Sequence, residues 1–176
     1  MYFLFFVIIF FSSCANDPDL VKDFFDKENL FIERIEGAEI LYTERGLLNV
    51  KIISNTIERF KTQPELVLSN NLEVTFYNDS GLVESILKGG YAEINEEKNI
   101  MTVYENVVLS SLEGKRLETE ELSWDERKQK IFTDKEVIII TQKEIINGSG
   151  FTSNTDFSKY FISKINGIVN VENLNE

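Results

Sequence analysis

From residue 37 onward, apolar side chains fall on every second position. Ala38, Ile40 and Tyr42 point one way while Glu39, Leu41 and Thr43 point the other. Arg45-Gly46 then turns the chain into Leu48, Val50 and Ile52. Leu72, Val74 and Phe76 alternate with Glu73, Thr75 and Tyr77, and Asn78-Asp79-Ser80-Gly81 is a strong turn signal. Val83, Ser85 and Leu87 lead to Gly89-Gly90 and then to Tyr91-Ala92-Glu93-Ile94. Residues 95–99 form a polar hairpin loop, and Ile100 to Leu109 reads as a further strand pair. Glu113-Gly114-Lys115 turns into Leu117 and Thr119, followed by Leu122 and Trp124, a charged turn over 125–130, and Ile131-Phe132. Val137-Ile138-Ile139-Ile140 reads as a buried strand, and Asn147-Gly148-Ser149-Gly150 closes the last clear hairpin. Tyr160, Ile162, Ile168, Val169 and Val171 finish the pattern, while the stretch over 55–61 before Pro64 reads as a strand or a bend. The spacing predicts about a dozen short strands and no helix after residue 36, hence an all-β antiparallel sandwich, barrel or jellyroll.

The first residues break this pattern. Met1 to Phe11 is an almost unbroken apolar run followed by Ser12-Ser13-Cys14. It falls well short of the roughly 20 residues that span a bilayer as a helix and has the shape of a cleaved secretory signal. The small pair before Cys14 resembles a bacterial lipobox, so residues 1–13 are expected to be a lipoprotein signal peptide and Cys14 the lipidated first residue. Acylation there would anchor the chain at about 0.8 kcal/mol per buried methylene. Residues 14–36 read as a polar tether, in which Asp17-Pro18-Asp19 can cap a short helix carrying Leu20, Val21, Phe24 and Phe25 on one side. Residues 37–171 are the predicted β domain and 172–176 a tail.

Composition narrows the chemistry. The 176 residues include no histidine and one cysteine, and the formal net charge is -12. Imidazole-based catalysis, most catalytic zinc sites, an intrachain disulfide and Cys-x-x-Cys metal sites are thereby excluded. The acidic balance argues against nucleic acid, which needs a basic footprint. Glu118 and Glu120 share one face of a strand and are read as solvating it, rather than as a carboxylate pair across a cleft. Glu93, Glu96 and Glu97 lack the ordered spacing of a calcium loop. Trp124 reads as a core aromatic at a strand end, with a lipid-facing lining residue as the alternative. Gly148 and Gly150 are expected to supply positive φ or a close backbone approach. No cofactor is implied and no enzyme is predicted.

Several stretches, taken in order, resemble one family. They are Ala38 to Leu48, Val74 to Gly81 with Gly90-Tyr91-Ala92, Asn106 to Leu109 with Gly114, Leu117 to Asp125, Ile131 to Asp134, and Ile146 to Phe151. Their order and spacing resemble the LptC family, the periplasmic component of lipopolysaccharide export, and the later stretches also resemble the repeat of the related LptA bridge proteins.

The resemblance implies a β-jellyroll open at its ends. Such a domain takes the acyl chains of lipopolysaccharide or lipooligosaccharide from an inner-membrane ABC transporter and passes them to an LptA-like bridge protein. An acidic domain repels lipid A phosphates, so binding is expected through acyl chains in an apolar groove. The candidate groove residues are Leu72, Val74, Phe76, Tyr91, Ile94, Val103, Val107, Leu117, Trp124 and Ile139. Partner edges are expected at Ala38, Ile40 and Tyr42 toward the transporter and at Tyr160, Ile162 and Ile168 toward the bridge. The expected location is periplasmic, anchored by lipid, with the inner membrane favoured. Rival readings are a bridge-type or other lipid-binding lipoprotein, a surface adhesive lipoprotein, and a jellyroll carbohydrate-active enzyme.

Overall fold

The computed structural model describes residues 31–61 and 64–170. The expected signal, Cys14, the short helix and the tail lie outside these residues. Nine strands follow one another: β1 (Phe31–Glu44), β2 (Leu47–Phe60), β3 (Leu66–Tyr77), β4 (Val83–Asn95), β5 (Ile100–Ser111), β6 (Arg116–Asp125), β7 (Lys130–Ile140), β8 (Glu144–Asn154) and β9 (Tyr160–Asn170). They form a single antiparallel sheet whose spatial order is the sequence order. The all-β reading and the open jellyroll-like fold therefore hold. The strands, however, are nine long ones of 10 to 14 residues rather than a dozen short ones. The sheet also begins at Phe31, six residues before the expected Gly37.

The strand count differs because the strands from β2 to β9 are interrupted near their middles without ending. From β2–β3 to β8–β9 every pair slips register there: between Ile53 and Thr56, Ser69 and Leu72, Lys88 and Tyr91, Tyr104 and Val107, Thr119 and Ser123, Thr133 and Glu136, and Asn147 and Gly148. These bulges form a line across the sheet, and a bulge bends its strand. Asn70, Asn71, Glu105 and Asn106 sit on that line with φ of 63°, 60°, 65° and 51°, a left-handed conformation that asparagine tolerates better than most residues. Gly89-Gly90 and Asn147 to Gly150 also lie on it, inside β4 and β8 rather than in turns. A side chain at Gly89 would bring its Cβ within 2.9 Å of the Tyr104 carbonyl, and at Gly148 within 2.7 Å of the Lys164 carbonyl. The turn signals at Gly89 and Gly148 are thus sites where one backbone presses on its neighbour. Gly150, at φ +70°, supplies the positive φ.

The bend folds the sheet back on itself. At the end of β6, Trp124 meets Tyr42 of β1 edge-on at 5.4 Å and Phe76 of β3 at 5.7 Å, although β6 pairs with neither strand. Ser85 Oγ of β4 donates to the Thr155 carbonyl in the β8–β9 turn, and Lys115 Nζ donates to the Phe157 carbonyl at 3.3 Å. Between the two halves lies the core, where Val74, Val103, Val107, Leu109, Leu117, Leu122, Ile131 and Ile139 are wholly buried. Each is worth about 1.5–3 kcal/mol by burial. Inward parity is not constant along a strand. On β3 it stays even (Leu66, Leu68, Leu72, Val74, Phe76), but on β4 it changes from Ser85 and Leu87 to Ala92 and Ile94. β7 alternates as well: Val137 and Ile139 are buried while Ile138 is 40% exposed, so the apolar run there is not buried on both faces.

Candidate functional site

Nine of the ten candidate groove residues converge on this one core. Leu72, Val74, Phe76, Ile94, Val103, Val107, Leu117, Trp124 and Ile139 are each 3% exposed or less. The tenth, Tyr91, lies on the outer face, because the parity change at Gly89-Gly90 turns Ala92 inward in its place. There Tyr91 stacks on Tyr104 at 4.9 Å, and Tyr104 Oη donates to Glu93 at 3.3 Å. The central interior is filled by interlocking side chains rather than forming an empty trough. Apolar surface inside the fold becomes accessible toward its margins and where the two halves meet.

At the first margin, Ile35 of β1 sits opposite the buried Ile57, so it faces inward, yet it is 43% exposed. It borders a recess of about 170 Å³ with Ala38, Ile40, Ile57 and Leu66, rimmed by Glu33, Glu39 and Arg59. Ala38, Ile40 and Tyr42 of the expected partner edge pack against the core from β1. At the last margin, Ile168 of β9 faces inward opposite the buried Ile146 and is 56% exposed. Tyr160 and Ile162 pack onto the core, whereas Phe161, Ile165 and Val169 are exposed beside Ile168. Among the described residues, β1 and β9 each have one strand neighbour, so each presents an edge unpaired by another described strand. Ile35, Ile57 and Leu66 were not among the residues expected from sequence. The apolar positions Phe31 and Ile35 were the available signal, masked by the charged residues around them.

A third opening lies where the two halves meet. Recesses of about 290 and 300 Å³ flank Tyr42 and share Trp124 and Glu126 in their walls. The first adds Val50 and Arg127, the second Ile94, Met101 and Glu96. Trp124 Nε1 is buried with no hydrogen-bond partner. Burial pushes the Glu126 carboxyl above its ordinary range. Burial also raises the Tyr42 phenol, with Glu126 and Glu96 adding to the effect. Next to Trp124, the Asp125 carboxylate accepts from Lys128 Nζ at 2.8 Å and from the Lys128 amide at 3.0 Å. Those bonds hold its pKa below the usual carboxylate value and fix the β6–β7 turn.

Glu118, Glu120 and Glu136 line one recess of about 400 Å³ with Arg116, Thr119 and Ile138. Glu118 faces outward and pairs with Arg116 Nε at 2.7 Å, and Glu120 is exposed near it. Among the described residues, no three histidine, cysteine, aspartate or glutamate side chains gather as a metal site would require. What the fold offers is apolar surface inside, graded from buried at the centre to accessible at both edges, with acidic and basic groups confined to rims and outer face.

Residues 6–164 match the family model described as lipopolysaccharide-assembly, LptC-related. No curated protein matches the chain.

Proposed function

The chain belongs to the LptC family, whose members are periplasmic components of lipopolysaccharide transport, and on that premise we propose how this fold takes part. Lipid acyl chains enter the interior at the β1 margin, lie between the two halves of the folded sheet, and leave at the β9 margin. The observation that carries this reading is the pair of inward-facing isoleucines, Ile35 and Ile168, left exposed at the two outer edges of an otherwise buried core.

The centre is closed in this structure, so an incoming chain must displace the contacts among Phe76, Trp124 and their neighbours. That exchange is between apolar surroundings. A fatty chain of roughly a dozen carbons exposed to water would cost on the order of 10 kcal/mol, at about 0.8 kcal/mol per methylene. Contact with the interior avoids that cost, while the bulge line gives each strand a place to bend as the halves part. Direction then comes from the ATP-driven transporter that supplies the lipid.

The two edges suit partner strands. An inner-membrane transporter subunit would pair with β1, and an LptA-like bridge protein with β9, continuing the sheet in both directions. Lipidation of Cys14 would hold the domain at the membrane surface. The same edges would serve a bridge-type lipoprotein, and the family match makes the transporter-proximal role the preferred one.

The test is site-specific photo-crosslinking in membranes carrying the transporter and its substrate. A photoreactive residue at Phe76, Val107 or Trp124 is expected to capture lipopolysaccharide only when ATP is supplied. Capture confined to outward positions such as Glu118 or Tyr91 would sink the proposal. Replacement of Cys14 by serine is expected to release the domain from membranes into the soluble fraction, and persistent attachment would show that another segment anchors it.

A further inference from the structure

Trp124 is the chain's one tryptophan, and its Nε1 is buried without a hydrogen-bond partner. Buried polar groups in folded proteins nearly always find a partner, so an orphan beside a cavity marks a place where a ligand atom can sit. Trp124 borders both recesses where the halves of the sheet meet, of about 290 and 300 Å³, on either side of Tyr42. Val50, Ile94 and Met101 give the walls apolar surface, and Glu44, Glu96 and Glu126 bring carboxyl groups to them. An indole nitrogen only donates, so whatever meets it must carry an acceptor. A phosphate or carboxylate would bring its charge among three carboxyl groups, with Arg127 the one cation lining the recesses among the described residues. A neutral acceptor avoids that repulsion, and the apolar walls suit hydrocarbon attached to it. We propose that Trp124 Nε1 donates to the ester or amide carbonyl that links a fatty chain to its headgroup, making these recesses an acyl-carbonyl site.

The inference rests on the lipid-transport reading and deepens it by naming the part of the lipid that this chain recognises. Trp124 packs edge-on against Tyr42 and Phe76, so its ring belongs to the core while its wall of the recesses faces the polar groups of the β6–β7 turn. A donor at such a boundary suits a molecule that changes there from hydrocarbon to polar headgroup. A carbonyl held at Nε1 fixes the depth of the lipid. The chain then runs inward along the core, and the headgroup lies outside, past Glu96 and Glu126. Burial favours the neutral acid at Glu126, which lessens the charge facing a neutral linkage. The contact also satisfies the donor that the protein alone leaves unpaired.

The full chain in an alkyl glycoside detergent, which carries no carbonyl group, tests this. A diacyl glycerophospholipid is compared with its dialkyl ether analogue, which keeps the chains and headgroup but lacks the carbonyl oxygens. Equilibrium binding of the diester is expected to be tighter by about 3- to 10-fold, the worth of one neutral hydrogen bond. Trp124→Phe is expected to bind the two lipids alike. Ultraviolet resonance Raman reads the same contact in the unaltered chain, where the indole N–H signal comes from Trp124 alone. That signal is expected to be free of hydrogen bonding without lipid and to shift with the diester and with lipopolysaccharide, but not with the diether. Equal affinities, a preference that survives Trp124→Phe, or an N–H already bonded to water without lipid would overturn the proposal. A shift with the phospholipid alone would uphold the carbonyl site and overturn lipopolysaccharide as its source. None of these measurements involves ATP or a partner, so their failure is distinguishable from failure of lipid capture at Phe76.

Discussion

Trp124 joins two opposed effects in one side chain. Its ring fills the space between Tyr42 and Phe76, while its buried Nε1 lacks a partner. Trp124→Ala is expected to cost about 3–5 kcal/mol in a urea unfolding curve followed by circular dichroism. Trp124→Phe should cost far less, about 1–1.5 kcal/mol, because it also removes an orphan donor whose burial costs about 1–3 kcal/mol. Equal losses for the two variants would mean that the indole nitrogen is satisfied in solution. Beside it, Glu126 has a carboxyl pKa raised by burial above its reference 4.5. The folded form therefore holds that proton more tightly than the unfolded chain does. Its contribution to stability is full below pH 4.5 and is lost as pH rises through the raised value. Glu126→Gln is accordingly expected to raise the melting temperature at pH 7 and to give no advantage at pH 4. Asp125 works in the opposite sense, since its lowered pKa stabilises above its ordinary 3.8 and that support is lost on acidification.

At the scale of the strand, the bulge line sets each element's shape. β4 reads in sequence as two short strands parted by a glycine pair, because Gly-Gly between alternating segments is an ordinary turn signal. In the structure the pair stays within β4, at its bulge, and switches the inward parity from Leu87 to Ala92. Gly89→Ala is expected to destabilise by about 1–3 kcal/mol, because its Cβ would press on the rigid Tyr104 carbonyl. Gly167→Ala, on β9 with open space around it, should be neutral or gain about 0.4–1 kcal/mol through the unfolded chain. Thermal unfolding of the two variants separates a glycine required by contact from one that is not. The same parity switch explains Tyr91, whose sequence neighbourhood suggested the groove and whose side chain stands on the outer face.

For the whole molecule, the two edge strands matter most. Ile168→Lys should leave unfolding free energy within about 0.5 kcal/mol, since the residue is more exposed than buried. A lysine at a sheet edge opposes pairing with another strand. The variant is therefore expected to lose association with a bridge protein in a pull-down while keeping its fold; undiminished association would remove β9 from the proposed exit. The interior adds a second constraint at this scale. Its central residues are as closely covered as those of an ordinary core, so the proposed lipid passage requires the halves of the sheet to part, and the long strands bent at their middles are suited to that motion.

The sequence by itself determined the all-β class, the alternation within each half-strand and most hairpins. Arg45-Gly46, Asn78 to Gly81 and Glu113-Gly114-Lys115 each encode their turn locally, through φ preferences and side-chain hydrogen bonds such as those from the Ser80 and Leu82 amides to Asn78 Oδ1. Nine of the ten candidate groove residues are buried, because period-two burial is a local pattern, while their contact with lipid is the proposal. Tertiary structure alone decided that the pieces join into nine strands, which parity faces inward after each bulge, and that Ile35 and Ile168 are left accessible at the ends. Register at a bulge depends on the neighbouring strand. The meeting of Trp124 with Tyr42 and Phe76 depends on folding the whole sheet over, an arrangement for which no short stretch of residues carries a signal.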